Sequence, residues 1–427
     1  MIQSTSLSLD MARSRGDDGT FNWQEARRLT SGCSHIVHLN NAGAALMPDC
    51  VLESTISYLR DEARFGAYET AERSRGAIER VYDIAAALLN CSPTEIAVVE
   101  NASRAWNLAF GSIGFRAGEV VVTSTFEYAN NYIAIMQAKK RHGLRIEVVP
   151  STPLGELSLD ALRNIIASHG ARMRVISVTH VPTNNGVVNP AEEVGSLIRE
   201  AKATGVLSER ALYIQDACQS IGQIPIDART GGFDILTTCG RKYLRGPRGI
   251  GLLYVRGGVF ERQECGEPPM LDVRAAGWTS RDDYFVYRDG RRFETWDINF
   301  AAKLAFGVAI EHALFWGIRN IEAYVTSLAQ RLRDLLGDIR GVRIHDVGRR
   351  RCGLISFSVS GADPLDVKEF LAARRINVSV SERALTRIDM ENRNLDAVLR
   401  ASVHYYNCME ELEALTEGVK EYCRRSG

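Results

Sequence analysis

Two polar side chains lie where predicted buried strands end, and one of them is an amine. Lys242 occupies a polar turn between an apolar run that ends at Thr237 and a second apolar run at residues 250–255. A lysine held between buried strands loses hydration, which lowers the pKa of its ammonium group and prepares the amine to attack an aldehyde. Taken alone, the position is more readily explained as an ordinary surface lysine.

The second side chain is an acid, Asp216, which ends another buried-strand pattern that begins at Leu212. Ligands of open α/β sheets bind at the carboxyl ends of the strands, so we expect Asp216 and Lys242 to face one crevice. This pair matches a site for pyridoxal 5'-phosphate, in which a lysine forms a Schiff base and an acid keeps the pyridine nitrogen protonated. The sequence therefore predicts Lys242 and Asp216 as catalytic residues and this cofactor as their ligand.

The composition favours a globular protein of two or three domains and gives no sign of several other classes. The chain has 427 residues, of which 45% are hydrophobic, with 52 basic and 52 acidic side chains and no formal net charge. This balance gives no electrostatic reason to expect nucleic acid or a membrane surface as a partner. The nine cysteines form no CxxC pair, so no metal site and no disulfide framework is predicted. No apolar run is long enough to cross a bilayer, and we expect a cytoplasmic protein.

The order of apolar runs predicts an α/β fold. Residues 1–21 are expected to form a flexible N-terminal arm. Residues 22–270 alternate strand-like and helical patterns, which indicates a mostly parallel sheet covered by helices on both faces. The predicted strands lie at 96–99, 120–123, 145–149, 175–178 and 212–214, and the helices at 51–89, 102–110, 131–142, 158–168 and 190–203. This range is the predicted large, cofactor-binding domain, with the option that its N-terminal part packs on the small domain.

Residues 271–427 have fewer strands and longer helices, which predicts a smaller C-terminal α+β domain. Its expected elements are a long helix at 301–336, strands at 354–359 and 398–405, and a helix at 365–375. The last helix is expected to begin with a capping box that pairs Asn407 with Glu410.

The residues around Asp216 and Lys242 resemble the class V aminotransferase family, the group that includes cysteine desulfurases and isopenicillin N epimerase. The resemblance spans about residues 38–425 and implies fold type I, the aspartate-aminotransferase-like fold, and a homodimer. In the family pattern, Ala102 and Ser103 offer a backbone N–H and a hydroxyl to the phosphate at a helix start. Tyr128 follows a glutamate where an aromatic ring stacks on the pyridine, although histidine is usual there.

Three further positions are implied as cofactor contacts by the same resemblance. Gln219 falls where the family hydrogen-bonds the phenolic oxygen, Thr183 lies in a loop near the cofactor, and Arg241 replaces a histidine as a phosphate partner. Cys239, which stands where a phosphate-binding serine is usual, is expected only to pack. The predicted cofactor-binding residues are Ala102, Ser103, Tyr128, Thr183, Asp216, Gln219, Arg241 and Lys242.

Substrate contacts are predicted from two segments. Arg400 lies in a sequence close to the family's Arg-Ala-Ser segment, which implies a two-pronged clamp on the substrate carboxylate. Asn40, Asn41 and Gly43 lie in a small-residue turn of the kind found at the mouth of class V sites, and a plain glycine turn before a helix is the alternative. Asp297 stands where a threonine of the partner-reaching stretch is usual, so we predict the homodimer without a cross-subunit phosphate contact.

The reaction is less specified than the cofactor. No cysteine occurs in residues 380–399, where a desulfurase carries its nucleophilic thiol, and this argues against persulfide transfer. The main interpretation is a carbon–sulfur, β-eliminating lyase that acts on an amino acid or its conjugate and resembles hercynylcysteine sulfoxide lyase. An aminotransferase or epimerase is the alternative, and a catalytically silent binding protein is an alternative of another class. A dehydrogenase is disfavoured because no G-x-G-x-x-G follows the first strand.

Overall fold

The computed structural model describes residues 21–260 and 265–426. The predicted arm at residues 1–21 therefore lies, apart from Phe21, outside the described residues. The described chain opens with α1 (Trp23–Arg28), β1 (Val37–His38), α2 (Asp49–Phe65), α3 (Ala67–Arg73) and α4 (Arg75–Leu89). The single helical stretch predicted at 51–89 is thus three helices. Gly66 ends α2 because its φ of 93° is not helical. Residues with a side chain rarely adopt this φ, which explains the glycine.

The predicted alternation of strands and helices is confirmed in the next part of the chain. Its elements are β2 (Ile96–Val99), α5 (Ala102–Gly111), β3 (Val120–Ser124), α6 (Ala129–His142), β4 (Arg145–Val149), α7 (Leu159–His169), β5 (Met173–Thr179), α8 (Ala191–Ala203), β6 (Leu212–Asp216), β7 (Ile235–Cys239) and β8 (Gly251–Val255). Strands β2 to β8 form one seven-stranded sheet in the order β2-β8-β7-β6-β5-β3-β4. All neighbours are parallel except β8, which runs antiparallel to β2 and β7.

The sheet reverses its winding direction between β3 and β5, and this point positions the site. The chain moves from β3 outward to β4, returns to β5, and then proceeds through β6 to β7 on the other side. Thr179 pairs with Asp216, so β5 and β6 end together, and Asp216 pairs with Thr237, so β7 continues two residues beyond them to Cys239. Because parallel sheets bind ligands at such a switch point, the carboxyl ends of β3, β5, β6 and β7 form the predicted crevice.

The C-terminal part of the chain is an α+β unit, as predicted. Its elements are β9 (Ala276–Ser280), β10 (Asp283–Val286), α9 (Phe300–Trp316), α10 (Ile318–Gly337), β11 (Val342–Ile344), β12 (Leu354–Val359), α11 (Pro364–Ala372), β13 (Ile376–Asn377), β14 (Ser379–Glu382), α12 (Arg387–Asn392), β15 (Ala397–Ser402) and α13 (Met409–Ser426). Strands β11, β12, β15 and β14 form an antiparallel sheet in that order.

Two predicted helices differ from the structure. The helix expected at 301–336 is broken at Gly317 into α9 and α10, which meet at 76°. The capping box at α13 is displaced by one residue, because Glu411 rather than Glu410 reaches back to the backbone N–H of Cys408 at 3.3 Å. Asn407 is occupied instead in the preceding turn, where its Oδ1 accepts the N–H of His404 at 2.7 Å.

The packing joins the two ends of the chain. Ala26, Cys33 and Leu39 belong to the hydrophobic cluster of the C-terminal unit, and β1 pairs in parallel with β13. In contrast, α9 packs its buried face on α2, α4 and the large sheet. The domain boundary at residue 270 stays a prediction. Among the described residues, no helix taken singly is long and apolar enough to cross a membrane, and α9 with α10 passes such a test only as a bent pair.

Candidate active site

Lys242 is held by the backbone of the turn between β7 and β8. The N–H of Gly240 donates to Ile250 O at 3.0 Å, and the N–H of Gly246 returns to Gly240 O at 2.8 Å. A side chain at Gly240 would meet Ile250 and Phe306 at 2.8–3.0 Å, so this turn accepts only glycine without a shift. The turn therefore fixes Lys242 at a rigid strand end, where its side chain lines a cavity.

Asp216 faces the same cavity from the end of β6. Its side chain is 5% exposed, and each of its carboxylate oxygens accepts one hydrogen bond. Asn131 Nδ2 donates to Oδ2 at 2.9 Å, and the N–H of Cys218 donates to Oδ1 at 2.9 Å. A carboxylate oxygen can accept more than one hydrogen bond, so Asp216 can still accept one from a protonated ring nitrogen.

One cavity of about 400 Å³ collects these residues at the carboxyl ends of the strands. It is lined by all eight predicted cofactor-binding residues: Ala102, Ser103, Tyr128, Thr183, Asp216, Gln219, Arg241 and Lys242. They come from five separate segments, which lie at the ends of β2, β3, β5, β6 and β7. Thr179, Arg248 and Cys218 also line it and were not predicted from the sequence.

The polar groups of this cavity fit pyridoxal phosphate. Gln219 Oε1 and Arg241 Nε are buried and have no hydrogen-bond partner among the described residues. Unsatisfied buried polar atoms are costly, so each is explained by a polar ligand that it would contact. Asn101 caps α5 by accepting the N–H of Arg104 at 2.9 Å, and the first turn of a helix has further N–H groups without intrahelical acceptors. An anion fits the Ala102–Ser103 end of the cavity, and a ring with a polar oxygen fits the Gln219 end.

Arg400 lies beside this cavity and is not part of its lining. It is 6% exposed on β15, and its Nη1 donates to Thr183 O at 2.9 Å and to Thr183 Oγ1 at 2.6 Å. Its Nη2 donates to Asn40 Oδ1 at 3.4 Å, and its Nε has no partner among the described residues. Burial lowers the pKa of the guanidinium to about 10, so Arg400 is still a cation at neutral pH.

The predicted substrate-contact turn divides into two roles. Gly43 supports Asn40, because a Cβ at this position would come within 2.6 Å of Asn40 Oδ1, the atom that accepts from Arg400. Asn41 is fully buried, and its amide donates to Ser402 O at 2.6 Å and to Asn407 Oδ1 at 3.2 Å. It also accepts the hydroxyl of Tyr406. The prediction that Asn41 contacts substrate is therefore corrected, because its side-chain amide is hydrogen-bonded to the C-terminal part of the chain.

The comparisons with known proteins agree with this arrangement. A family model described as "Aminotransferase class-V" matches residues 37–415. The chain belongs to the class V aminotransferase family. As a member of this family it is a pyridoxal-phosphate-dependent enzyme. The buried polar atoms of Gln219 and Arg241, which have no hydrogen-bond partner among the described residues, fit the binding of this cofactor.

Individual relatives cover nearly the whole length of this class V enzyme. A protein of Methanothermobacter thermautotrophicus described as "Probable cysteine desulfurase" is 27% identical over 396 residues, which are 90% of this chain and 94% of that protein. The cysteine desulfurase of Thermococcus onnurineus NA1 matches with a TM-score of 0.85 at 24% identity, over 94% of this chain and 98% of its own. The cystine C–S lyase C-DES, in complex with cysteine persulfide, matches with a TM-score of 0.80 at 18% identity, over 92% and 99%. These matches confirm fold type I.

One departure from the family pattern has a visible consequence. Cys239 and Cys218 both line the cavity, at the ends of neighbouring strands. The hydrogen bond between the two thiols lowers the pKa of Cys239, against the opposing effect of burial, and the nearby charges of Lys242 and Arg241 lower it further. The position usually held by serine is therefore occupied here by a thiol whose pKa is lowered by its neighbours.

Proposed function

We propose that this class V enzyme cleaves the carbon–sulfur bond of a cysteine-type amino acid by β-elimination and releases the sulfur fragment to solution. In the overall reaction the S-substituted cysteine and one water give a thiol, pyruvate and ammonium. Relatives described as cysteine desulfurases support carbon–sulfur chemistry. The observation that carries the release to solution is the segment 380–399, which holds no cysteine.

This segment packs directly beside the cavity. The N–H of Asp389, in α12, donates to Thr125 O at 3.1 Å, and Asn184 Nδ2 donates to Asp389 Oδ2 at 2.6 Å. Asn184 is the neighbour of Thr183, which lines the cavity and accepts from Arg400. A thiol on this segment would be placed to receive sulfur, and the segment offers carboxylates and guanidinium groups instead.

The side chains divide the work as follows. Arg400 would bind the substrate carboxylate through two parallel hydrogen bonds, and Thr183 and Asn40 hold its guanidinium in place. Asp216 would hold a proton at the pyridine nitrogen, and Lys242 Nζ would move the proton at Cα. Bound pyridoxal phosphate supplies the electron sink that weakens the bonds at Cα. Ala102, Ser103 and Arg241 would hold its phosphate, Gln219 its phenolic oxygen and Tyr128 one face of its ring.

The experiment is a substrate panel with three readouts. Cysteine and S-alkyl cysteines are incubated with the enzyme, and pyruvate, ammonium and released thiol or sulfide are measured. Equal amounts of the three products are expected, with no sulfur added to the protein by intact mass spectrometry. Serine analogues that lack the β-sulfur serve as the control. Persulfide on the enzyme, or consumption of an added keto acid without pyruvate formation, would overturn the proposal.

We also propose that the enzyme is a cytoplasmic homodimer. The β9–β10 hairpin and the segment after it expose large aromatic side chains, including Trp278 at 82% and Trp296 at 57%. Such apolar exposure is typical of a surface that another chain covers. A reducing compartment is supported by the free thiols of eight cysteines: Cys33, Cys50, Cys91, Cys218, Cys239, Cys352, Cys408 and Cys423. Light scattering of the purified protein, and of the Trp278→Ser variant, tests the dimer.

A further inference from the structure

Glu127 places a second carboxylate close to Asp216, directly after β3. Its side chain is only 3% exposed. Its oxygens accept five hydrogen bonds at 2.7–3.0 Å, from the hydroxyls of Thr123, Ser177 and Thr179, the side-chain amide of Asn131 and the backbone N–H of Tyr128. All five donors are neutral groups. The site therefore contains a buried carboxylate that is solvated by dipoles rather than by a cation.

This donor set suits the anion rather than the acid. The Asn131 amide nitrogen and the Tyr128 N–H both reach Oε1 and can only donate hydrogen bonds, so Oε1 cannot carry the proton of a neutral acid. A buried charge is tolerated when hydrogen bonds satisfy it, and five donors do so here. Glu127 accordingly carries a negative charge in a region of low dielectric, where its effect on neighbouring charges is strong.

Asn131 links this charge to the cofactor acid. It is 2% exposed in the first turn of α6, and Glu127 lies in the turn that precedes this helix. Its Nδ2 has two hydrogens, and it donates to Glu127 Oε1 at 2.9 Å and to Asp216 Oδ2 at 2.9 Å. Its Oδ1 accepts from Asn130 Nδ2 at 3.2 Å. A flipped amide would turn its oxygen toward two carboxylates, so the orientation of Asn131 is fixed.

We propose that Glu127 and Asn131 are positioning residues that fix the carboxylate plane of Asp216 and strengthen its hold on the protonated pyridine nitrogen. The proposal rests on the proposed role of Asp216. Asn131 fixes one oxygen of Asp216, and the N–H of Cys218 fixes the other. The negative charge of Glu127 stabilises a positive ring nitrogen through the bridging amide, which itself adds no charge. The segment that carries Tyr128 would thus also tune the acid that holds the ring nitrogen.

The test compares ring protonation in the parent enzyme, Glu127→Gln and Asn131→Leu. Each protein is loaded with pyridoxal phosphate carrying nitrogen-15 in the ring, and the nitrogen chemical shift is followed against pH. Both variants are expected to lose the ring proton at lower pH than the parent. Turnover is expected to fall about tenfold with little change in KM, because the substrate contacts are untouched. Asn189→Leu is the matched control, since Asn189 is equally buried beside β5 and contacts Thr179 O and Leu157 N instead of a carboxylate.

A double-variant cycle separates this network from a general loss of stability. Adding Asn131→Leu to Asp216→Asn is expected to cause no further loss of turnover, because Asn131 acts only through Asp216. If Glu127→Gln does not fold, the comparison of Asn131→Leu with the Asn189→Leu control carries the test.

The outcomes distinguish this inference from the function on which it rests. If Asp216→Asn leaves the ring nitrogen protonated as in the parent, the role of Asp216 itself is wrong. If Asp216→Asn moves the signal but Glu127→Gln and Asn131→Leu behave like the Asn189 control, only the positioning network is refuted. A full additional loss in the double variant would likewise mean that Asn131 acts independently of Asp216.

Discussion

Two parts of the site are held together differently: the floor, formed by Glu127, Asn131, Asp216 and Lys242, and the carboxylate clamp, formed by Arg400, Thr183 and Asn40. In the floor, Asn131 and Glu127 are four residues apart, and their partners on β5 and β6 lie 50 to 85 positions away but within the same large-sheet unit. In the clamp, Arg400 meets Thr183 across 217 positions and Asn40 across 360. The floor should therefore tolerate changes in domain packing, whereas the clamp depends on it.

The difference predicts two separable kinds of damage. Changes in the floor should alter the chemistry of the bound cofactor and leave substrate affinity nearly unchanged. Changes in the clamp should weaken substrate binding and leave the cofactor as it was.

The largest effect is expected for Lys242→Ala, which removes the amine of the floor. Borohydride reduction followed by peptide mass spectrometry should find no cofactor attached at this position, and turnover should fall by about three orders of magnitude or more. Lys140→Ala, on the exposed side of α6, is the control and should retain attachment and activity. A reducible linkage that persists in Lys242→Ala would place the Schiff base elsewhere.

Asp216→Asn should impair the chemistry of the floor but leave the cofactor bound. The neutral amide can still hydrogen-bond but no longer holds the ring nitrogen protonated, so turnover should fall about a hundredfold while most of the cofactor stays bound. Absorbance titration gives the occupancy, and steady-state kinetics give kcat. Parent-like turnover in the loaded variant would contradict the role of Asp216.

Arg400→Lys tests the clamp. The charge remains but the two-pronged geometry is lost, so KM for an amino-acid substrate should rise about ten- to a hundredfold, or roughly 1.5–3 kcal/mol. Cofactor affinity should not change. An amine that lacks the carboxylate should bind the parent poorly and be nearly indifferent to the substitution. Equal losses for both compounds would show that Arg400 acts through domain packing.

Gly43→Ala is the mildest change and tests how the clamp is supported. The new Cβ would lie 2.6 Å from Asn40 Oδ1 and should displace the amide from Arg400, which raises KM by about three- to tenfold. Gly337→Ala is the control, since a Cβ there meets nothing within 4 Å. An unchanged KM in Gly43→Ala would mean that Asn40 is dispensable for the clamp.

The sequence predicted only part of the floor and of the clamp. The register that brings Asp216 and Lys242 to one edge follows from the strand ends themselves, and the structure places both in one cavity. The hydrogen bonds that Asn131 donates to Glu127 and Asp216 were not predicted, because they depend on how α6 packs on the large sheet. The capping glutamate of α13 was misplaced because Asn407 is used in a turn contact that the local pattern does not reveal.

Local sequence patterns predicted the alternation of strands and helices, the strand-end lysine and acid, and the helix start suited to an anion, because each depends on residues close together in the chain. The packing of the folded chain was needed to show which asparagine supports the clamp and which joins the two ends of the chain. Asn40 and Asn41 are neighbours with the same side chain, yet one is an acceptor for Arg400 and the other is buried against Ser402 and Tyr406. Their roles depend on the direction in which each points once the N-terminal turn packs on β15, and no local pattern encodes that direction.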